Sequence, residues 1–287
     1  MIELNKVKYR HPDFLLNIDH LYLSRGITLL VGRNGAGKTT LLKLLATALF
    51  PNEGEIRYLN HTVKEALPLI RSCIGYMPTG LQMYEEMTPY KLLSYLAELK
   101  GLDSREEVEA VIERFQFQPL RNVKIKELSQ GQHQRLGIAQ AFLGDPLFLL
   151  LDEALNYLDI HERKKIISEL ARESERKAII VSTHELNEWE YAADEIVWID
   201  EGMLCFHGTP ARWTKDLPWS VWSGTMDPEL LPNLNPDRIL SLRLEGQQAI
   251  IRSIGPEPPA DSFVDVPPNL EDAYYIRRWT REKNGRF

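Results

Sequence analysis

A glycine-rich stretch that ends in a Lys-Thr pair, residues 32–40, offers the clearest chemistry in this sequence of 287 residues. The apolar segment 27–31 precedes it and is typical of a buried strand, and leucines at helical spacing follow it. Such a loop binds phosphate because its backbone N–H groups and the helix N-terminus face the anion. A merely glycine-rich turn is the alternative, and the flanking strand and helix disfavour it. We therefore predict a nucleoside triphosphate site.

Two residues of this loop have separate predicted roles. Lys38 is expected to reach the β- and γ-phosphates, and the Thr39 hydroxyl is expected to hold Mg²⁺. The residues of the loop that we expect to bind the nucleotide are Gly32, Arg33, Asn34, Gly35, Ala36, Gly37, Lys38, Thr39 and Thr40.

A second set of reactive groups follows two apolar segments further along the chain. The run 147–151 leads directly into Asp152 and Glu153, and the run 178–181 leads into His184. Carboxyl ends of parallel strands are where α/β sheets bind their ligands. We expect Asp152 to hold Mg²⁺, Glu153 to act as general base on water, and His184 to contact the γ-phosphate or that water. A solvated strand end and a structural histidine are the alternatives.

Two further segments are candidates for nucleotide contacts. Ser129 can begin a helix, and Gly131 allows close approach of the backbone to a ligand, although a capped surface helix would have the same pattern. Tyr9 could stack on an adenine ring, since every base has a π-face. Simple packing of Tyr9 is the alternative, and Phe14 competes for the same role.

The elements that must position these residues follow from hydrophobic periodicity. We predict an α/β protein in which antiparallel strands at 2–9 and 15–23 form a flap ahead of a mixed sheet. A helical subdomain at about 83–145 interrupts that sheet. The remaining predicted strands lie at 54–58, 74–76, 178–181, 195–199 and 203–207. Residues 1–210 form the predicted first domain. Residues 211–287 form a small α+β region with a hairpin at 239–253 and a last helix capped by Asn269.

Composition limits the class of protein. The chain is 44% hydrophobic and 26% charged with a formal net charge of −7, which is typical of a globular protein and argues against electrostatic nucleic-acid binding. No run approaches the ~18 apolar residues of a membrane-spanning helix. The first residues lack the apolar core of a secretory signal. We expect a cytoplasmic protein in which Cys73 and Cys205 are buried, reduced thiols.

Together the phosphate loop, the Leu-Ser-Gln-Gly-Gln segment at 128–132, the strand with Asp152 and Glu153, and His184 resemble the ATP-binding cassette (ABC) ATPases in order and spacing. The resemblance implies a P-loop ABC cassette that binds ATP and Mg²⁺ and hydrolyses ATP. It also implies a head-to-tail dimer with a second cassette, either a homodimer or a heterodimer. Ser129, Gly131 and Gln132 would then contact the γ-phosphate bound to the other subunit.

Two departures from the family pattern affect expected contacts. Thr79 stands where the family has a glutamine that touches Mg²⁺ or water and hinges toward the membrane partner, and Gln82 could act in its place. The segment after Glu153 reads Ala-Leu-Asn-Tyr-Leu-Asp, where the family usually has Pro-Thr/Ser, but Asp159 is kept. The resemblance still implies a hydrolytically competent site.

The C-terminal region looks like the accessory part of type-2 ABC exporters, whose permease is a separate chain. The leading interpretation is therefore an exporter ATPase that is bound to integral membrane permease subunits at the inner face of the cell membrane. A soluble ABC protein acting on ribosomes or DNA is the rival class, disfavoured by one cassette per chain and by the acidic charge. A regulatory cassette with weak hydrolysis is a third hypothesis, which rests on Thr79 and the altered segment at 154–159.

Overall fold

The computed structural model describes residues 1–102 and 104–283. It divides into two compact units. The first comprises Met1–His184 and Tyr191–Gly208, and the second comprises Glu185–Glu190 and the residues from Thr209 onward. Each unit has its own sheet.

Within the described residues, ten strands of the first unit form one mixed sheet in the order β5-β4-β1-β2-β10-β9-β3-β8-β7-β6. The strands are β1 (Ile2–His11), β2 (Phe14–Leu23), β3 (Gly26–Val31), β4 (Glu53–Tyr58), β5 (His61–Thr62), β6 (Ile74–Met77), β7 (Phe148–Asp152), β8 (Ala178–Ser182), β9 (Glu195–Asp200) and β10 (Met203–Gly208). The predicted flap is confirmed as the antiparallel pair β1 and β2, and it is continuous with the core strands through a pairing of Met203 with Asn17.

The parallel half of the sheet positions the predicted catalytic groups. Strands β3, β7 and β8 are buried at every position, which is why their sequences are nearly unbroken apolar runs. β8 pairs in parallel with both β3 and β7. The carboxyl ends of these strands therefore bring the phosphate loop, Asp152 and Ser182 to one edge.

Six helices of eight or more residues lie in the described part of the first unit: α1 (Lys38–Leu45), α2 (Val63–Ser72), α3 (Pro89–Leu99), α4 (Ser104–Arg114), α5 (Gln130–Ala141) and α6 (Ile160–Ser174). The sequence predicts a helix that begins at Ser129, and α5 confirms it. Helix α2 was not predicted from the sequence. Its start carries a recognisable signal, because Thr62 and Glu65 form a capping box, but Pro68 and the non-helical Ala66 interrupt the pattern.

The second unit contains a four-stranded antiparallel sheet in the order β12-β13-β11-β14, counted over the described residues. Its elements are α7 (Pro210–Trp213), β11 (Ser220–Met226), β12 (Ile239–Glu245), β13 (Gln248–Gly255), β14 (Val264–Val266) and α8 (Leu270–Lys283). The predicted hairpin is confirmed as β12 and β13. Asn269 caps α8 as predicted, accepting a hydrogen bond from the Asp272 N–H at 2.8 Å.

Packing differs from the sequence prediction in one respect. Both cysteines are free, but Cys73 and Cys205 are half-buried rather than buried. Cys73 is the C-cap residue of α2, and Cys205 lies in β10, none of whose residues is fully buried. Trp213 is buried completely and donates its indole N–H to the Leu270 carbonyl at 2.9 Å. Among the described residues, no helix is both long and apolar enough to cross a membrane.

Candidate nucleotide-binding site

The phosphate loop connects β3 to α1, and Lys38 is the first residue of that helix. Lys38 is 5% exposed, and its ammonium donates to the carbonyls of Gly32 at 2.7 Å and Arg33 at 3.1 Å. Burial lowers the pKa of Lys38, while the carboxylates of Glu153 and Asp152 act in the opposite direction. A buried cation whose hydrogen bonds go to neutral carbonyls is well placed to accept a phosphate.

Two positions of the loop require glycine, because atoms of other residues lie very close to the loop backbone there. A Cβ on Gly32 would lie 2.3 Å from the Ile199 carbonyl oxygen, so a side chain does not fit. Gly37 has φ of +110°, and a Cβ there would lie 2.7 Å from Cζ of Phe14. The Phe14 ring therefore lies directly against the loop.

Asp152 ends β7 and is almost completely buried. The Thr39 hydroxyl donates to its Oδ2 at 2.7 Å, and the Ser182 hydroxyl donates to its Oδ1 at 2.5 Å. The carboxylate and the Thr39 hydroxyl are hard oxygen donors of the kind that Mg²⁺ prefers, and Mg²⁺ commonly takes one or two protein ligands beside phosphates and water. The residues present therefore fit a magnesium ion.

Glu153 is held differently from its neighbour. Its φ is +53°, and its N–H donates to the Ser182 hydroxyl at 2.9 Å. The Asn156 amide donates to one carboxylate oxygen at 2.8 Å, and His184 Nε2 lies 3.2 Å from the other. A left-handed backbone at a non-glycine residue is uncommon, and here it aims the carboxylate toward the phosphate loop.

A cavity of about 630 Å³ lies over the phosphate loop. The residues that line it are Tyr9, His11, Asp13, Phe14, Arg33, Asn34, Gly35, Gly37, Lys38, Thr39, Thr40, Lys43, Leu49 and Glu153. The structure thus brings Tyr9 and most predicted loop residues together with Glu153. Ser129, Gly131 and Gln132 are not among these lining residues.

The predicted signature residues begin helix α5. The Ser129 hydroxyl accepts from the Gln132 N–H at 3.2 Å, and the Gln132 side chain accepts from the Ser129 N–H at 2.9 Å. This capping box occupies the side chains of both residues, and the first N–H groups of a helix have no carbonyl partner within that helix. Gly131 packs closely, since a Cβ on it would lie 3.0 Å from the Tyr157 carbonyl oxygen.

Thr79 lies beside a second cavity, of about 400 Å³. Its hydroxyl donates to the Asp152 carbonyl at 3.3 Å. Gln82 is exposed and is not among the residues lining this cavity, although Met83 and Asn156 are. Neither the exposure of Gln82 nor the lining of this cavity therefore supports the hypothesis that Gln82 acts in place of Thr79.

Three residues that contact Asp152 or Glu153 do not stand out in the sequence: Ser182 and Asn156, which contact the carboxylates, and Gln134, which contacts the backbone. The Gln134 amide donates to the Glu153 carbonyl at 2.8 Å. Ser182 ends the apolar strand β8 and pairs with Asp152, so its position could have been inferred from the pairing of parallel strands. The contacts of Asn156 and Gln134 depend on loop and helix geometry that periodicity does not define.

Comparison with known proteins gives a consistent result. The profile of the family described as "ABC transporter" matches residues 16–156. The uncharacterized ABC transporter ATP-binding protein YxlF of Bacillus subtilis is 34% identical over 203 residues, which cover 70% of this chain and 67% of that protein. The bacitracin transport ATP-binding protein BcrA of Enterococcus faecalis is 36% identical over 204 residues, which cover 70% of this chain and 66% of that protein.

More distant similarity extends to a much longer protein and to solved structures. The human retinal-specific phospholipid-transporting ATPase ABCA4 is 32% identical over 212 residues, and the match spans only 9% of its length. The dimeric post-hydrolysis structure of the ATP-binding cassette MJ0796 with ADP and Pi has a TM-score of 0.65 at 22% identity, covering 73% of this chain and 98% of that one. At this identity the structural likeness supports the fold.

Proposed function

The chain belongs to the ABC transporter family of ATP-binding cassettes, and from this membership we propose that it is the cytoplasmic ATPase subunit of an exporter whose permease is a separate chain. ABC cassettes are ATPases, and ATP is the ligand of this one. We assign residues 1–210 to the catalytic cassette and residues 211–287 to an accessory region. The observation that carries the assignment is the cavity that joins the phosphate loop to Glu153.

Nucleotide binding would use the loop and its flanking aromatic residues. Backbone N–H groups and the α1 N-terminus face the phosphates, and Lys38 exchanges its carbonyl partners for phosphate oxygens. Tyr9, on β1, lines the cavity and would stack on the base. Thr39 and Asp152 would hold Mg²⁺, which when bound neutralises negative charge on the phosphates.

Glu153 would accept a proton from the attacking water. Asn156 and His184 contact separate oxygens of its carboxylate, which fixes the direction of the group. Asp152 is occupied by hydroxyl donors, so the two neighbouring carboxylates are suited to different roles. We propose Glu153 as the general base and His184 as a group that orients the water or the γ-phosphate.

Completion of the site requires a second cassette. Ser129, Gly131 and Gln132 open α5, whose N-terminus offers unpaired N–H groups to an anion, yet they do not line the cavity of their own chain. We propose that they contact the γ-phosphate bound to the partner cassette, in a homodimer or a heterodimer. A relative named for bacitracin transport supports a transport role. The cavity beside Thr79 and Met83 is the proposed contact for the permease.

The Glu153→Gln substitution tests this function. It keeps the shape of the side chain and removes its basicity, so turnover should fall about 100-fold or more while ATP affinity stays unchanged. The variant should elute as a dimer with ATP on size-exclusion chromatography. Glu98→Gln, an exposed change on α3, is the matched control. Wild-type hydrolysis by Glu153→Gln would refute the base assignment.

A second experiment tests the exporter proposal. The chain should co-purify with the membrane protein encoded beside it, and the reconstituted complex should show ATP-dependent export from the cytoplasmic side. The competing regulatory hypothesis, which rests on Thr79 and the altered segment at 154–159, predicts a complex whose turnover is unaffected by Glu153→Gln.

A further inference from the structure

The second unit contains a cavity of its own, of about 340 Å³. It lies where the hairpin of β12 and β13 meets the proline-rich segment that follows. Its lining residues are Asn233, Leu234, Asn235, Arg238, Ile239, Ser253, Ile254, Pro256, Glu257, Pro258 and Pro259. The volume is within the range of small-molecule sites, which are mostly apolar with a few convergent polar groups.

One polar group of this cavity is buried without a partner. Ser253 on β13 is 3% exposed, and its hydroxyl has no hydrogen-bond partner within the described chain. A buried hydroxyl without a partner costs free energy, so such a group in a folded protein calls for a physical explanation. A ligand that accepts a hydrogen bond from the hydroxyl would remove this cost.

Arg238 supplies the second incomplete group. Its guanidinium carbon lies 4.8 Å from the ring centroid of Trp219 and 5.4 Å from that of Trp279. Its Nε is buried and has no hydrogen-bond partner among residues 1–102 and 104–283. Arg252, in the same sheet, is by contrast paired with the Asp272 carboxylate.

The two incomplete groups lie at the same end of the sheet. Ile239, the residue after Arg238, is paired with Ser253 across β12 and β13. A Cβ on Gly255, two residues after Ser253, would lie 3.8 Å from an outer guanidinium nitrogen of Arg238. A charged fork of donors and a buried hydroxyl therefore face one small volume.

We propose that this cavity binds a small organic carboxylate with an apolar body. The planar guanidinium matches the two oxygens of a carboxylate, and the Ser253 hydroxyl can donate to the same group. Leu234, Ile239 and the prolines provide apolar surface for the rest of the molecule. Glu257 also lines the cavity, so the lining carries one charge of each sign, which disfavours a phosphate dianion. The site is separate from the nucleotide site and does not depend on the proposed exporter function.

Benzoate and its uncharged isostere benzamide are suitable probes for the full chain without nucleotide. Because Trp219 and Trp279 contact the Arg238 guanidinium, benzoate should change tryptophan fluorescence saturably, with a dissociation constant in the millimolar range or below. Benzamide should bind at least tenfold more weakly. Arg238→Gln should weaken benzoate binding at least tenfold, while Arg243→Gln, an exposed arginine of β12, should leave it unchanged.

Ser253→Ala distinguishes a ligand site from a structural serine. It removes an unsatisfied hydroxyl, so the thermal midpoint of the free protein should stay equal or rise, while benzoate binding should weaken several-fold. A lower thermal midpoint with unchanged binding would overturn the proposal. Equal binding of benzoate and benzamide, no saturable response to benzoate, or wild-type binding by a folded Arg238→Gln variant would overturn it as well.

Discussion

The nucleotide site of the first unit and the polar anchors of the second unit use buried charge in opposite ways. Lys38 is buried with neutral carbonyls as its hydrogen-bond acceptors. Asp272 is 4% exposed and accepts charge-assisted hydrogen bonds from the Arg252 guanidinium, and also a hydrogen bond from the Asn269 N–H. The first arrangement is completed by a ligand, and the second is complete within the chain.

This difference separates activity from stability. A buried cation in a phosphate-binding site lowers the stability of the protein without ligand, because desolvation disfavours its charged form. Breaking a buried ion pair that also caps a helix lowers the stability of the protein, because one buried charge is left without its partner. Substitutions in the first unit should therefore change ligand binding and turnover, and substitutions of the anchors should change unfolding.

The largest expected effect is that of Lys38→Ala. Loss of the charged contact to the phosphates should lower ATP affinity about 100-fold, or about 2.7 kcal/mol, measured by calorimetry. Lys64→Ala, at an exposed lysine on α2 that does not line the nucleotide cavity, should lower it less than threefold. Unchanged ATP affinity in Lys38→Ala would contradict the assignment of the buried Lys38 charge to ligand binding.

The pH dependence of stability sharpens this test. Burial lowers the pKa of Lys38 below its ordinary 10.5, so its charged form costs stability at neutral pH. The cost is full below the lowered pKa and disappears as pH rises toward the value of the unfolded state. Relative to Lys38→Ala, the wild type should therefore gain unfolding free energy between neutral pH and about pH 10.5. Urea titrations of both proteins across this range measure the difference.

Asp272→Ala should produce the second-largest effect. It leaves the Arg252 guanidinium without its carboxylate and removes a partner at the start of α8. Because the Arg252 side chain is only partly buried and keeps some contact with water, unfolding of the second unit should be easier by about 2 kcal/mol. ATP binding should be unchanged. Asp237→Ala, on the exposed surface of the same unit, is the control. An Asp272→Ala variant that loses ATP affinity without losing stability would contradict the assignment of Asp272 to stability.

The two units also differ in how well their strands can be predicted from the sequence. The core strands of the first unit were predicted because buried parallel strands are continuous apolar runs, as in β7 and β8. The central strand β11 of the small sheet was missed, because Ser-Val-Trp-Ser-Gly-Thr-Met neither alternates nor remains apolar. Its position depends on pairing with β13 and β14, which no local pattern specifies.

The candidate site divides in a similar manner. Lys38, Thr39 and Asp152 follow from a loop and a strand end whose chemistry is local. The roles of Asn156 and Gln134 depend on the left-handed turn at Glu153, which brings distant donors onto one residue. Three-dimensional proximity of this kind is absent from hydrophobic periodicity.

A smaller effect is expected from Gly131→Ala. The added methyl group would lie 3.0 Å from the Tyr157 carbonyl oxygen, so the start of α5 must shift against the segment after Glu153. Better helix propensity offsets part of the cost, so stability should change by less than about 1 kcal/mol. We expect turnover to fall about tenfold, or about 1.4 kcal/mol.

Gly137→Ala on the same helix is the matched control for that substitution. Its methyl group would meet the flexible end of Met77, which can move at little cost. ATPase rates and ATP-dependent dimer formation should distinguish the two variants. Equal turnover in both would show that the close packing of Gly131 is unimportant for the reaction.

The smallest expected effect is that of Thr79→Gln. The Thr79 hydroxyl is engaged by the Asp152 carbonyl, and its side chain is shorter than the glutamine that the family pattern has at this position. A longer amide could reach the region of the proposed metal and water, so basal turnover should rise several-fold, on the order of 1 kcal/mol in barrier. Because Gln82 is exposed and outside the adjoining cavity, Gln82→Ala should not change the rate in either background. Steady-state rates of the wild type, both single variants and the double variant form the required cycle. A non-additive result would restore Gln82 as the compensating residue, and an unchanged rate in Thr79→Gln would mean that this loop does not limit hydrolysis.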